Sequence, residues 1–275
     1  MTDRSGGFDG LAGAGDRASL ASPPPYGIRT MAAVPPAATR LVLIRHGEAV
    51  CNVAGVCGGL RGCQGLTERG RSQVRGLRDR LQRTGELAGA DVLYASVLPR
   101  AIETAQLLAP TLVATDPASG ARPPVPEVVT ECGLCELHCG EADGLSWDEF
   151  IERFPGLDWD VDPDQVIAPG GESWTGFVNR VAGTLDRLAT AHPGQLVVVA
   201  CHAGVIEASL LSKLPVVGGG AGARLQLRTH HASMTTWEIA DGRWRLLGYN
   251  DTADSGASVP RRADGDQRPA QTQQA

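Results

Sequence analysis

Leu41-Val42-Leu43-Ile44-Arg45-His46-Gly47-Glu48 is the stretch whose reading decides the fold. Four successive apolar residues without polar alternation read as a short strand covered on both faces. The strand ends in a charged residue, a titratable residue and a glycine. A second stretch repeats the plan: Leu196-Val197-Val198-Val199-Ala200 runs into Cys201-His202-Ala203-Gly204. In open α/β sheets, ligands bind beyond the carboxyl ends of the strands. If the two strands are neighbours, both imidazoles face one crevice. The small residues that follow let backbone come close to a ligand.

Outward from these strands, helical and extended patterns alternate. Thr67 is placed to cap a helix with apolar positions Val74, Leu77 and Leu81. Asp91 to Ala95 reads as a strand, and Pro99 to Leu108 as a helix with proline in its first turn. Val125 to Val129 reads as a weaker strand and Ser146 to Phe154 as a short helix. An Asp- and Pro-rich loop then runs to Gly171. Trp174, Phe177, Val178, Val181, Leu185 and Leu188 form one helical stripe, and a further helix follows the second histidine to about Lys213. Thr235–Ile239 and Trp244–Leu247 flank Asp241-Gly242, a hairpin signal. The expected architecture is a three-layer α/β/α sandwich with a mainly parallel sheet and at least one antiparallel edge strand.

Residues 1–38 and 254–275 carry Gly, Ala, Ser, Pro, Asp and Gln without apolar periodicity. They read as disordered extensions, which leaves 39–253 as one catalytic-sized domain. Met31 is an alternative start. The formal net charge of −6 gives no general attraction to nucleic acid or to an anionic membrane. An anionic ligand therefore needs a local group of cations. No apolar run approaches the ~20 residues of a membrane helix, and no basic segment followed by an apolar one opens the chain. Seven cysteines, an odd number, fit reduced thiols in a cytoplasmic protein.

Histidines beside arginines suit phosphoryl chemistry. A guanidinium matches phosphate oxygens and stays charged, and a neutral imidazole can attack phosphorus. A second arginine, Arg100, lies in Ser96-Val97-Leu98-Pro99-Arg100 at the end of the next strand. There it opposes the helix dipole unless an anion is bound.

These residues resemble the histidine phosphatase superfamily, the phosphoglycerate-mutase-like family. Arg45-His46-Gly47-Glu48 is similar to its nucleophile motif. Gly65-Leu66-Thr67-Glu68-Arg69-Gly70 is similar to its first helix start. Ser96 to Thr104 is similar to the segment carrying the second phosphate arginine. Pro169-Gly170-Gly171-Glu172-Ser173 is similar to a segment of the phosphatase branch. The resemblance covers about 39–253. It implies His46, Glu136 and His202 as catalytic residues, with Glu136 as proton donor. Arg45, Asn52, Arg100 and Ala203 are the implied phosphate-binding positions. It implies no cofactor and no metal. Alanine follows the second histidine where the family usually has glycine, and residues 58–64 depart from the usual short polar stretch.

Spacing alone leaves Glu131, Glu136 and Glu141 open as the acid. Arg61 reads either as a pocket cation or as an exposed loop residue, and His138 as a pocket or a solvent residue. Cys132, Cys135, His138 and Cys139 lie within eight residues but lack the two separated pairs of a zinc cage. Cys51, Cys57 and Cys63 read as small core fillers. The seven arginines from Arg61 to Arg83 read as a solvated face, since no aromatic residues for base stacking accompany them. The implied activity is a metal-independent phosphomonoesterase acting on a small phosphate ester through a phosphohistidine. The alternatives are a phosphoglycerate mutase and a non-catalytic phospho-ligand module on the same fold.

Overall fold

The order of strands follows from which ones must be buried on both faces. In the computed structural model, which describes residues 38–114, 118–121, 123–214 and 227–252, six strands form one sheet. They are β1 (Thr39–Arg45), β2 (Val92–Ala95), β3 (Val128–Thr130), β4 (Leu196–Cys201), β5 (Met234–Ala240) and β6 (Arg243–Asp251). Their order is β3-β2-β4-β1-β5-β6. The apolar strands β1 and β4 lie at the centre, paired in parallel from Arg40 opposite Leu196 to Arg45 opposite Cys201. β2 and β3 extend the parallel part. β5 and β6 are antiparallel, β5 against β1 and β6 at the edge.

Among the described residues six α-helices complete the layers: α1 (Val50–Ala54), α2 (Glu68–Thr84), α3 (Pro99–Leu108), α4 (Trp147–Arg153), α5 (Trp174–Ala191) and α6 (Ala203–Lys213). Leu41 and Leu43 point into one core with Phe150 of α4, Phe177, Val181 and Leu185 of α5, and Val205 and Ile206 of α6. Val42 and Ile44 point into the other, with Val74, Leu77 and Leu81 of α2 and Ala105 and Leu108 of α3. All four β1 residues are fully buried, each stabilising the fold by roughly 1.5–3 kcal/mol. A one-residue slip of β1 would draw the Arg45 side chain into a core layer, so packing fixes where His46 leaves the sheet.

Local signals set the helix ends. Thr67 Oγ1 accepts the Gly70 N–H at 2.9 Å, and Gly85 closes α2 with φ of 64°. Ser146 and Glu149 form a reciprocal cap on α4, and Ser173 caps α5. The weak strand expected over Val125–Val129 is shifted and shortened to Val128–Thr130, half-exposed at the sheet edge. Pro123, Pro124 and Pro126 have no N–H for a ladder, which confines pairing to the residues after them. α1 has five residues, too few for its periodicity to show. The terminal segments read as disordered extensions lie outside the described residues, apart from Ala38.

Candidate active site

The in-register pairing of β1 and β4 sends His46 and His202 off the sheet side by side. The His46 N–H donates to the Cys201 carbonyl at 3.0 Å. The two rings lie 5.1 Å apart, edge to face, and both are almost fully buried.

The neighbours of His46 set its tautomer. Nδ1 lies 2.6 Å from the Gly47 carbonyl oxygen, which can only accept. Nδ1 therefore carries the hydrogen and Nε2 the lone pair. Arg100 Nε donates to that Nε2 at 3.2 Å. Burial first, then the charge of Arg100, with His202, Arg45 and His231 adding to it, holds His46 well below the ordinary imidazole pKa. It is neutral at pH 7, with a nitrogen lone pair facing a guanidinium.

His202 Nε2 sits 2.8 Å from Ser96 Oγ. Its Nδ1 is buried and has no hydrogen-bond partner among the described residues. Burial, then Arg100, Arg45 and Arg180, depress its pKa as well. Arg45 is buried, with Nη1 donating to the Thr229 carbonyl. Arg100 is also buried, in the first turn of α3, with Nη1 donating to Gly58 O at 2.7 Å.

The three glutamates are engaged differently. Glu136 Oε2 accepts the Gly204 N–H of the first turn of α6 at 3.1 Å, and Oε1 accepts the Leu137 N–H at 3.2 Å. Its carboxylate is thus held by the backbone of the second residue after His202. Glu131 caps its own turn through the Gly133 N–H. Glu141 pairs with Arg153 at an exposed site.

A sequence profile of the histidine phosphatase superfamily (branch 1) matches residues 41–252. The chain belongs to the histidine phosphatase superfamily. It is 30% identical over 236 residues to the metal-independent phosphoserine phosphatase of Arabidopsis thaliana, covering 84% of this chain and 90% of that one. It is 31% identical over 179 residues to phosphoserine phosphatase 1 of Hydrogenobacter thermophilus, covering 64% and 77%. A mycobacterial glucosyl-3-phosphoglycerate phosphatase, solved with VO3, superposes with a TM-score of 0.59 at 27% identity, covering 78% of this chain and 99% of that one. Family and relatives together make the chain a phosphatase.

In this histidine phosphatase several motif residues brace the pocket from outside. The Thr67 N–H donates to Glu48 O at 2.9 Å. A Cβ on Gly70 would run into that same carbonyl, and one on Gly47 into Gly70 O. The two glycines thus let α2 press directly on the His46 loop. Glu172 makes a two-pronged pair with Arg180, both contacts 2.7 Å, and accepts the His138 N–H at 2.9 Å. That segment holds the loop of Glu136. Asn52 lies in the first turn of α1, its Oδ1 accepting the Ala49 N–H at 3.0 Å, so its NH2 is the side left to donate. Ala203 is the first residue of α6. Arg61 is exposed and tied to Asp143 and to the Gly140 carbonyl. Cys51, Cys57 and Cys63 are buried, as core fillers are. Carboxylates answer the α2 arginines: Glu48 for Arg69, Glu68 for Arg75, and Glu86 with Asp251 for Arg80.

Sequence reasoning missed His231, whose ring lies 5.7 Å from that of His46. The signal was available. β5 is antiparallel to β1, so the residues before Met234 lie at the same sheet end as His46.

Proposed function

We propose that the protein is a phosphomonoesterase for small phosphorylated metabolites, working through a phosphohistidine on His46 without a metal in the reacting centre, and that residues 39–253 form its catalytic domain. The observation that carries this is the state of His46. It is neutral, its Nδ1 hydrogen engaged by Gly47 O, its Nε2 aimed at Arg100. In the first step Nε2 attacks phosphorus, the P–O ester bond breaks, and Glu136 gives its proton to the departing alkoxide. Arg45, Arg100, His202 and Asn52 hold the phosphoryl oxygens as charge builds, with the small Ala203 admitting close approach. The hydrogen stays on Nδ1, donated to Gly47 O, and that bond steadies the cationic phosphoimidazole. In the second step the Glu136 carboxylate takes a proton from water, the water oxygen attacks phosphorus, and the P–N bond breaks. Phosphate leaves and His46 is neutral again.

The relatives named for phosphoserine and glucosyl-3-phosphoglycerate support small phosphate esters as the substrate class. Leu137, next to Glu136, is buried and offers no cation to an acid substrate, which favours hydrolysis over phosphoryl return. All catalytic positions are filled, which favours an enzyme over a binding module. The cytoplasmic assignment rests on the odd number of cysteines. Among the described residues no helix is long and apolar enough to cross a membrane.

Rapid quenching during turnover of phosphoserine or p-nitrophenyl phosphate should trap an acid-labile, base-stable phosphoprotein. His46→Ala should abolish both it and turnover. Arg100→Ala should slow turnover by on the order of 10²–10³ while the fold persists. Full activity in His46→Ala would end this mechanism.

A further inference from the structure

Arg180 does more than pair with Glu172. Its Nη1 also donates to the carbonyls of Cys132, Gly133 and Cys135 at 3.3, 3.0 and 3.2 Å. Gathering three carbonyls on one side curls residues 132–135 into a tight turn. The side chains of Cys132, Cys135 and His138 converge, and one donor atom from each lies within 4.8 Å of the other two.

The spacing of these atoms is specific. Cys132 Sγ is 3.7 Å from Cys135 Sγ and 3.6 Å from His138 Nε2. A tetrahedral zinc ion, with Zn–S of about 2.3 Å and Zn–N of about 2.0–2.1 Å, sets two sulfurs about 3.8 Å apart and a sulfur and a nitrogen about 3.6 Å apart. A disulfide would instead need the sulfurs at about 2.05 Å. The outer contacts also suit a metal. Ser96 Oγ lies 3.5 Å from Cys135 Sγ. His138 Nδ1 lies 3.6 Å from Glu172 Oε2, so a carboxylate backs the imidazole whose other nitrogen joins the cluster. Cys139 is not the fourth ligand, because its Sγ turns to the Leu137 carbonyl at 3.4 Å. The Glu136 carboxylate is engaged with the Gly204 and Leu137 N–H groups, off the cluster.

We propose that Cys132, Cys135 and His138 form a three-ligand site for a thiophilic divalent cation, Zn²⁺ by its geometry, outside the phosphate pocket. Cys132 is exposed, so the fourth position is open to water or to a thiol from solution. The site does not depend on the role of His46.

The test uses the full chain, stripped of metal and kept reduced, and titrated with Co²⁺ alone. The expected result is a thiolate-to-cobalt charge-transfer band with the visible bands of tetrahedral Co²⁺, saturating at one ion per chain and displaced by one equivalent of Zn²⁺. Cys132→Ser and His138→Ala, both at partly or fully exposed positions, should each weaken Zn²⁺ binding at least about 10-fold, as loss of a metal contact does. Circular dichroism should confirm that both remain folded. Cys139→Ser should bind as the wild type does. The proposal is overturned by a wild-type chain that gives no thiolate band, by binding unchanged in the folded Cys132→Ser and His138→Ala variants, or by loss of the site in folded Cys139→Ser.

Discussion

Two buried imidazoles held neutral make a statement about stability as well as about nucleophilicity. An unfolded histidine titrates near about pH 6.5, whereas His46 and His202 titrate lower when folded. Between their folded values and about 6.5 the unfolded chain binds protons that the folded chain does not. Stability therefore rises with pH through that window, is complete above it, and is lost as pH falls. Thermal melts from about pH 7.5 down to about pH 5 should show a falling Tm. His46→Asn and His202→Asn should each flatten that slope, and a slope unchanged in both would place the titration elsewhere. The carboxylate gives a second residue-level expectation. An alkoxide leaving group needs an acid and a nitrophenolate needs it less. Glu136→Gln should slow phosphorylation by an alkyl phosphate far more than by p-nitrophenyl phosphate, as resolved by burst kinetics. Glu131→Gln and Glu141→Gln, whose side chains serve a turn and a surface pair, should be mild. The leaving-group effect appearing in either of those would reassign the acid.

At the scale of elements, the start of α6 joins the two halves of the proposed chemistry. His202 is its N-cap and Gly204 lies in its first turn. A Cβ on Gly204 would collide with Glu136 Oε1, although the backbone there is ordinary helix in which alanine is favoured. Gly204→Ala should therefore keep the Tm within a few degrees yet reproduce the leaving-group dependence of Glu136→Gln. A large fall in Tm would show that the glycine serves packing instead. This contact also marks what a sequence conveys and what it does not. The strands that end in His46 and His202, the Thr67 cap and the Pro99 helix start were legible, because apolar runs and capping residues are local signals. The reading that favours Glu136 over Glu131 and Glu141 was not legible from spacing, since what supports it is a hydrogen bond to an N–H 68 residues away. His231 was missed for a related reason: its approach to His46 depends on the antiparallel register of β5, a tertiary fact. The Gly170-Gly171 segment was legible as a family motif, but its work, seating Glu172 under the loop of residues 132–138, appears only in three dimensions.

Across the whole molecule, the pocket draws on Arg45 near one end of the domain and on Thr229 and His231 near the other. No smaller part of the sheet contains it. In a urea titration, phosphatase activity and tryptophan fluorescence should fall in one coincident transition. Activity outlasting the fluorescence change would show a working subdomain that this topology does not provide. The same topology bears on how the chain is made. β1 precedes its parallel partner β4 by more than 150 residues and its antiparallel partner β5 by still more. At about 5–20 residues per second, the first central strand waits roughly 8–30 s at the ribosome before either neighbour exists. During that time Leu41-Val42-Leu43-Ile44 is an uncharged, strongly β-prone segment, the kind that seeds aggregation. Arg40 and Arg45 stand at its two ends. A charge at each end of such a segment opposes its pairing with its own kind, so Arg45 is expected to guard the nascent strand quite apart from its place in the folded pocket.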